Sequence, residues 1–228
     1  MSFDLAIWRT NGRYLTAGEA ARIYSDLCSR PLESFTPGAE MENFVRTAAD
    51  RHRSSGGSSD TPWAAQPSMT QDSAIMTIQS PLAGAMFPVI RQLARERGLV
   101  LFDPQSSKIY LPGPANSPDN TYTLELSDNR VIFGPDRALV SKCVNALSDA
   151  HWFMILERSS GAYLQVGVGE RAGVPRDRYA LEYLDDHSGR HWRAVLPASE
   201  DIAGAFYEYL DGSMAWTDRY PFRPLSEN

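Results

Sequence analysis

Cysteine and lysine are both scarce in this chain of 228 residues. Lys108 and Lys142 are its two lysines, and every other basic residue is arginine, a bias that fits a GC-rich bacterial genome more than a mechanism. The two cysteines, Cys28 and Cys143, lie far apart at core-like helix positions. They are expected to be buried thiols and not a disulfide or a nucleophile, which fits a reducing cytoplasm. Long apolar runs are also missing, and nothing approaches the roughly 18–20 residues a membrane span needs. The opening MSFDLAIWRT lacks a basic segment followed by an apolar one, so no secretion signal is expected. There is no excess of positive charge. The net charge is −6, and from Ala115 onward 17 acidic residues face 11 basic ones, against 11 and 11 before it. That balance argues against nucleic acid as a ligand, because phosphate contacts need basic clusters. It suits a basic protein partner, or simply solubility. Neither a G-x-S-x-G elbow nor a Walker motif is present.

What is present reads as an α+β chain in two small domains, 1–112 and 121–228. The stretch between them, Pro112 to Asn120, holds three prolines, a glycine and two asparagines and suits neither helix nor strand. Phe3–Trp8 alternates as a strand. Thr16 and Glu19 form a capping box for a helix with Ala20, Ile23, Tyr24 and Leu27 inward. Thr36-Pro37 opens a second helix, with Met41, Phe44, Val45 and Ala48 buried. Trp63 is read as pinning a long loop onto the core. Strand Ala74–Gln79 leads through Ser80-Pro81 to a helix in which Pro88 should kink the axis or delay its start. Leu99–Asp103 and Lys108–Leu111 are short strands. The second half is expected to be a mostly antiparallel sheet with two helices. It opens with a hairpin over Tyr122–Leu126 and Arg130–Phe133. A helix after Asp136 follows, then strands near Trp152–Glu157, Ala162–Val168, Arg178–Leu184 and Arg190–Leu196. Ser199-Glu-Asp201 should cap a last helix with Ile202, Ala203, Phe206, Tyr207 and Leu210 inward.

Candidate chemistry is sparse. Asp185, Asp186, His187 and His191 resemble a metal site in composition, yet no further ligand stands at recognisable spacing, so a polar hairpin tip is the better reading. Glu157 and Glu182, in the frames ILER and ALEY, sit at equivalent ends of predicted strands. They would serve either as a hydrolytic carboxylate pair or as salt-bridge partners of nearby arginines. The glycine-rich run from Gly167 to Gly173 is followed by Val174-Pro175 and another strand, where a nucleotide fingerprint needs a helix N-terminus. No cofactor or metal is expected.

The string WFMILERSSGAYLQVG, then YALEY, HWRAV, EDIAGAFYEYLDG and Trp216 resembles deaminase-associated immunity proteins of bacterial polymorphic toxin systems. Its frame is Leu-Glu-Arg, a turn, aromatic-x-Gln-x-Gly, Leu-Glu-Tyr, His, a helix, Tyr-Leu-Asp-Gly and Trp, all between Trp152 and Trp216. FDLAIW and LARERGLVLFDPQ in the first half are similar to an uncharacterised bacterial module. The resemblance implies a non-catalytic antitoxin that covers a cognate toxin, with an acidic patch toward a basic target. The implied contact residues are Asp185, Asp186 and His187 at the hairpin tip, Glu200 and Asp201 at the helix start, and Trp216. The alternatives are a protein-binding scaffold with another partner, and a hydrolase using Glu157 and Glu182.

Overall fold

The computed structural model describes residues 2–10, 12–30, 36–54, 61–114, 121–185 and 189–225, and they form a mixed α+β structure with five α-helices and twelve strands. The tertiary contacts gather into two compact units, Met1–Pro112 and Gly113–Asn228.

The first unit contains β1 (Ser2–Arg9), α1 (Ala17–Cys28), α2 (Ala39–Ser54), β2 (Ser68–Met69), β3 (Ser73–Gln79), α3 (Ala83–Glu96), β4 (Leu99–Asp103) and β5 (Lys108–Leu111). Its strands run β2-β3-β1-β4-β5, with every neighbouring pair antiparallel. The capping box forms as expected: Glu19 N–H donates to the Thr16 hydroxyl and the Glu19 carboxylate accepts from Thr16 N–H. Strand register puts Ala6, Trp8 and Phe102 on one face, where Tyr24 of α1 meets Phe102 with ring centroids 5.9 Å apart. Phe3, Leu101 and Tyr110 lie on the other, where Phe87 of α3 meets Phe3 and Tyr110 at 6.3 and 5.7 Å. Leu5, Ala6 and Ile7 are fully buried in succession, so the alternation expected over Phe3–Trp8 does not hold: helices cover this strand on both faces.

Several expectations need correction here. Cys28 is exposed and Cys143 half-buried, because the helix faces that meet the sheet centre on Leu27 in one case and Val140 and Val144 in the other. Burial still pushes the Cys143 thiol up, away from a reactive thiolate. Pro88 sits inside α3, and Ser80–Leu82 is a separate 3-10 turn ahead of it. The loop before β3 is fastened by backbone: Trp63 bridges Ile78, Gln79 N–H donates to the Pro62 carbonyl, and Pro62 is the buried side chain.

The second unit contains β6 (Tyr122–Leu126), β7 (Arg130–Phe133), α4 (Arg137–Asn145), β8 (Phe153–Arg158), β9 (Tyr163–Val168), β10 (Tyr179–Leu184), β11 (His191–Leu196), α5 (Ser199–Leu210) and β12 (Arg223–Pro224). Its strands run β7-β6-β8-β9-β10-β11-β12, each described pairing again antiparallel. Leu124, Leu156, Leu164 and Leu181 share one face, all fully buried, and α5 packs against β9 and β10 there with Ile202, Ala205, Phe206 and Tyr209. The buried stripe of α5 is thus rotated from the expected one, and Ala203, Tyr207 and Leu210 are half-exposed. Ala198 occupies the N-cap without a side-chain bond; Glu200 and Asp201 lie in the first turn, where acid meets the positive end of the helix. At the other end Arg158 donates to the Tyr209 carbonyl at 3.3 Å and stacks over the Tyr209 ring at 4.5 Å, matching the negative end.

Candidate functional site

A sheet shows its side chains alternately on its two faces, so α5 can cover one set and leaves the other to be accounted for. In the second unit that other set is only partly buried. The register aligns Glu125, Ile155, Gln165, Glu182 and Arg193 in one row across five strands, β6 to β11. Phe153, Gly167, Ala180 and Val195 form the next row, ending in Val195 at 47% exposure. Beyond the first row, Tyr163 and His191 are joined through the phenol oxygen and Nε2 at 3.2 Å. Burial, followed by the charge of Glu182, pushes the Tyr163 phenol up.

The row is internally paired. Glu182 accepts a hydrogen bond from the Gln165 amide and forms an ion pair with Arg193 at 3.2 Å. Arg193 reaches on to the Ala172 carbonyl at 2.6 Å, tying the sheet to the turn between β9 and β10. That turn, a 3-10 segment over Glu170–Ala172, lies against the strands at Gly167, where a Cβ would stand 2.6 Å from that of Ala172. Gly169 and Gly173, both with φ of +68°, carry the chain into and out of it. The glycine-rich run is therefore a loop leading to a strand, built to lay the turn on the sheet. Turn and row together border a half-open cavity of about 330 Å³, lined by Trp152, Phe153, Ile155, Gln165, Arg171 and Glu182.

The residues singled out from sequence fall in different places. Asp186 and His187 lie outside the described residues. Asp185 closes the β10–β11 turn through its backbone, donating to the Arg190 carbonyl and accepting from Gly189 N–H. Glu200 is exposed, while Asp201 is half-buried and its carbonyl accepts from the Tyr220 hydroxyl at 3.1 Å. Both belong to α5, which packs on the helix-covered face, so they do not join the uncovered rows. Trp216 is fully buried, which removes it from any contact surface: it meets Tyr183, Phe222 and Tyr209 edge-on, and its indole N–H donates to the Ser213 carbonyl. The aromatic tail needs that burial to fold back beside β11.

Glu157 and Glu182 do share the uncovered face, but β9 runs between their strands and they stand one row apart. Their backbones are about 12 Å apart on ordinary strand spacing, and Glu182 is committed to Gln165 and Arg193. His191 bonds Tyr163. No group of three or more histidine, cysteine, aspartate or glutamate side chains capable of holding a metal is found among the described residues. Among them, too, no helix is long and apolar enough to cross a membrane.

Sequence reasoning did not single out Gln165, Arg171, Arg193 or Phe153 as site residues. The signal was period two: Glu157, Tyr163, Gln165, Gly167, Glu182 and His191 alternate with buried leucines and valines, which assigns them to one face. Comparison of the chain with protein-family models, with curated proteins and with solved structures finds no match.

Proposed function

We propose that this protein is a non-catalytic cytoplasmic immunity protein that binds and neutralises a cognate bacterial toxin, with the uncovered face of β6 and β8–β11 as its contact surface. The observation that carries the reading is that face: side chains of five strands in register, mixed polar and apolar, in the unit that holds the whole acidic excess of the chain. Flat β surfaces of this composition suit protein recognition, where a few apolar anchors are ringed by polar groups. Acidic residues around them would speed and orient the approach of a basic, nucleic-acid-handling toxin. In this reading the two compact units are two domains, and the second carries the binding function. Asp185, at one end of the face, joins the contact set, and Glu200 lies outside it.

The test is to co-express the tagged chain with the products of its immediate gene neighbours and wash at high salt. A one-to-one complex with a protein toxic on its own is expected, and Val195→Arg on the uncovered face should weaken it. A chain that elutes alone beside harmless neighbours overturns the reading. So does a complex indifferent to Val195→Arg and to charge reversal at Asp185, as far as this face is concerned.

A further inference from the structure

The cavity beneath the 3-10 turn has a construction that toxin binding by a flat face does not call for. Its walls are fixed from three sides. Gly167 lets Ala172 rest on the sheet, Arg193 clasps the Ala172 carbonyl, and Trp152 and Phe153 stand edge to face with centroids 4.7 Å apart. Ala180 and Gly167, paired across the strands, carry little or no side chain and leave room at the floor. At about 330 Å³ the space lies at the lower end of the roughly 300–1,000 Å³ of small-molecule sites, which are mostly apolar with a few placed polar groups.

The charges beside it do not cancel. Glu182 is matched by Arg193 and by the Gln165 amide. Within the turn, Glu170 is matched by Arg176 at 3.2 Å. Arg171, the next residue and part of the cavity wall, has no ion-pair partner among the described residues. One unmatched guanidinium therefore borders an aromatic slot inside a unit whose overall charge is acidic. A guanidinium fork offers parallel N–H donors that fit a carboxylate, and flat rings stack or pack edge-on against Trp and Phe.

We propose that this cavity binds a small organic acid, a flat apolar body of one or two rings carrying a single carboxylate. The rings lie against Trp152, Phe153 and Ile155, and the carboxylate meets Arg171. The site shares Phe153, Ile155, Gln165 and Glu182 with the face proposed for toxin contact, but its argument does not rest on that reading.

The test uses the full chain labelled with ¹⁵N, with indole-3-acetate as the probe and its neutral amide, indole-3-acetamide, as the control. Saturable binding of the acid is expected, with amide shifts centred on Phe153, Gln165, Arg171 and Glu182, and about tenfold weaker binding of the amide. Arg171→Gln, at an exposed position that should leave folding intact, is expected to erase the difference between acid and amide. Ala180→Leu, which fills the floor, should weaken both. The proposal is overturned by the absence of saturation up to about 10 mM, by equal affinities for acid and amide, or by a preference that survives Arg171→Gln. None of these results depends on whether a toxin co-purifies.

Discussion

In the first unit β1 and β4 are buried on both faces, between α1 on one side and α2 and α3 on the other. In the second, β9 and β10 pack against α5 on one face, while the other face of β8 to β11 is partly open. The sequences carry the mark of each arrangement. LAIW and LVLF are unbroken apolar runs, as strands buried on both faces require, whereas YLQVGV and YALEYL alternate. Charge follows the same division: the first half balances 11 acidic with 11 basic residues, and the second holds the excess of acid. A unit with both faces filled has only its rims and helix exteriors for recognition. One that leaves a sheet face open has a broad, rigid surface, and its side chains are positioned by strand register and not by loop conformation. That difference is the physical reason for assigning binding to the second unit.

The largest effect that would break this comparison comes from placing one charge on each face. Leu101→Asp and Phe102→Asp lie on opposite faces of the first unit, and each should cost about 4 kcal/mol or more, since both positions are buried. In the second unit Leu181→Asp should do the same, while Val195→Asp should stay within about 0.5 kcal/mol. Urea denaturation of the four variants measures this. A large loss at Val195 would mean that the face is not open. A smaller effect separates two glycines of the second unit. Gly167→Val drives a side chain into Ala172 and should destabilise by about 1–3 kcal/mol. Gly204→Ala, in α5 with nothing near its Cβ, should stabilise by about 0.5–1 kcal/mol. Thermal unfolding of both variants checks the pair, and equal behaviour would remove the packed turn from the account.

The smallest expected effect concerns the first unit. The Arg51 guanidinium, with help from Gln92, holds the Glu96 carboxyl below its ordinary value of 4.5. A carboxyl lowered in the folded state adds stability that is fully present above that value and is lost as pH falls through the folded one. Both side chains are about 40% exposed, so solvent screening keeps the contribution to about 0.5 kcal/mol or less. Arg51→Met should therefore cost that little at pH 7, and the difference from the parent chain should fade as pH falls below 4.5 and through the lowered value of the folded carboxyl. A difference that persists in acid would show that packing of the arginine stem carries it instead.

Much of the fold was legible because its signals are local. The Thr16–Glu19 box, the alternation of β8 to β10 and the stop at Gly212 each follow from neighbours in the chain. The α5 stripe was not, since Ile202-Phe206-Tyr209 and Ala203-Tyr207-Leu210 are both apolar at helical spacing, and periodicity cannot choose between them. β2 has two residues, too few to show a period. The residues of the candidate site were visible as types, yet their convergence was not: Gln165, Glu182 and Arg193 come from three strands, and Arg171 from a turn.

By itself, then, the sequence determined most of the element types and the one-sided burial of the later strands, because both depend on residue period; the burial of β1 on both faces, where alternation is expected, was decided by the helices that cover it. The tertiary structure decided that Trp216 is core, since a tail is buried only if Tyr183 and Tyr209 stand where it can reach them. It also decided that Glu157 and Glu182 are divided by β9, and that the glycine-rich turn lies on the sheet and walls one side of a half-open cavity. Pairing and register join residues far apart in the chain, and no local period encodes which strand becomes the neighbour of which.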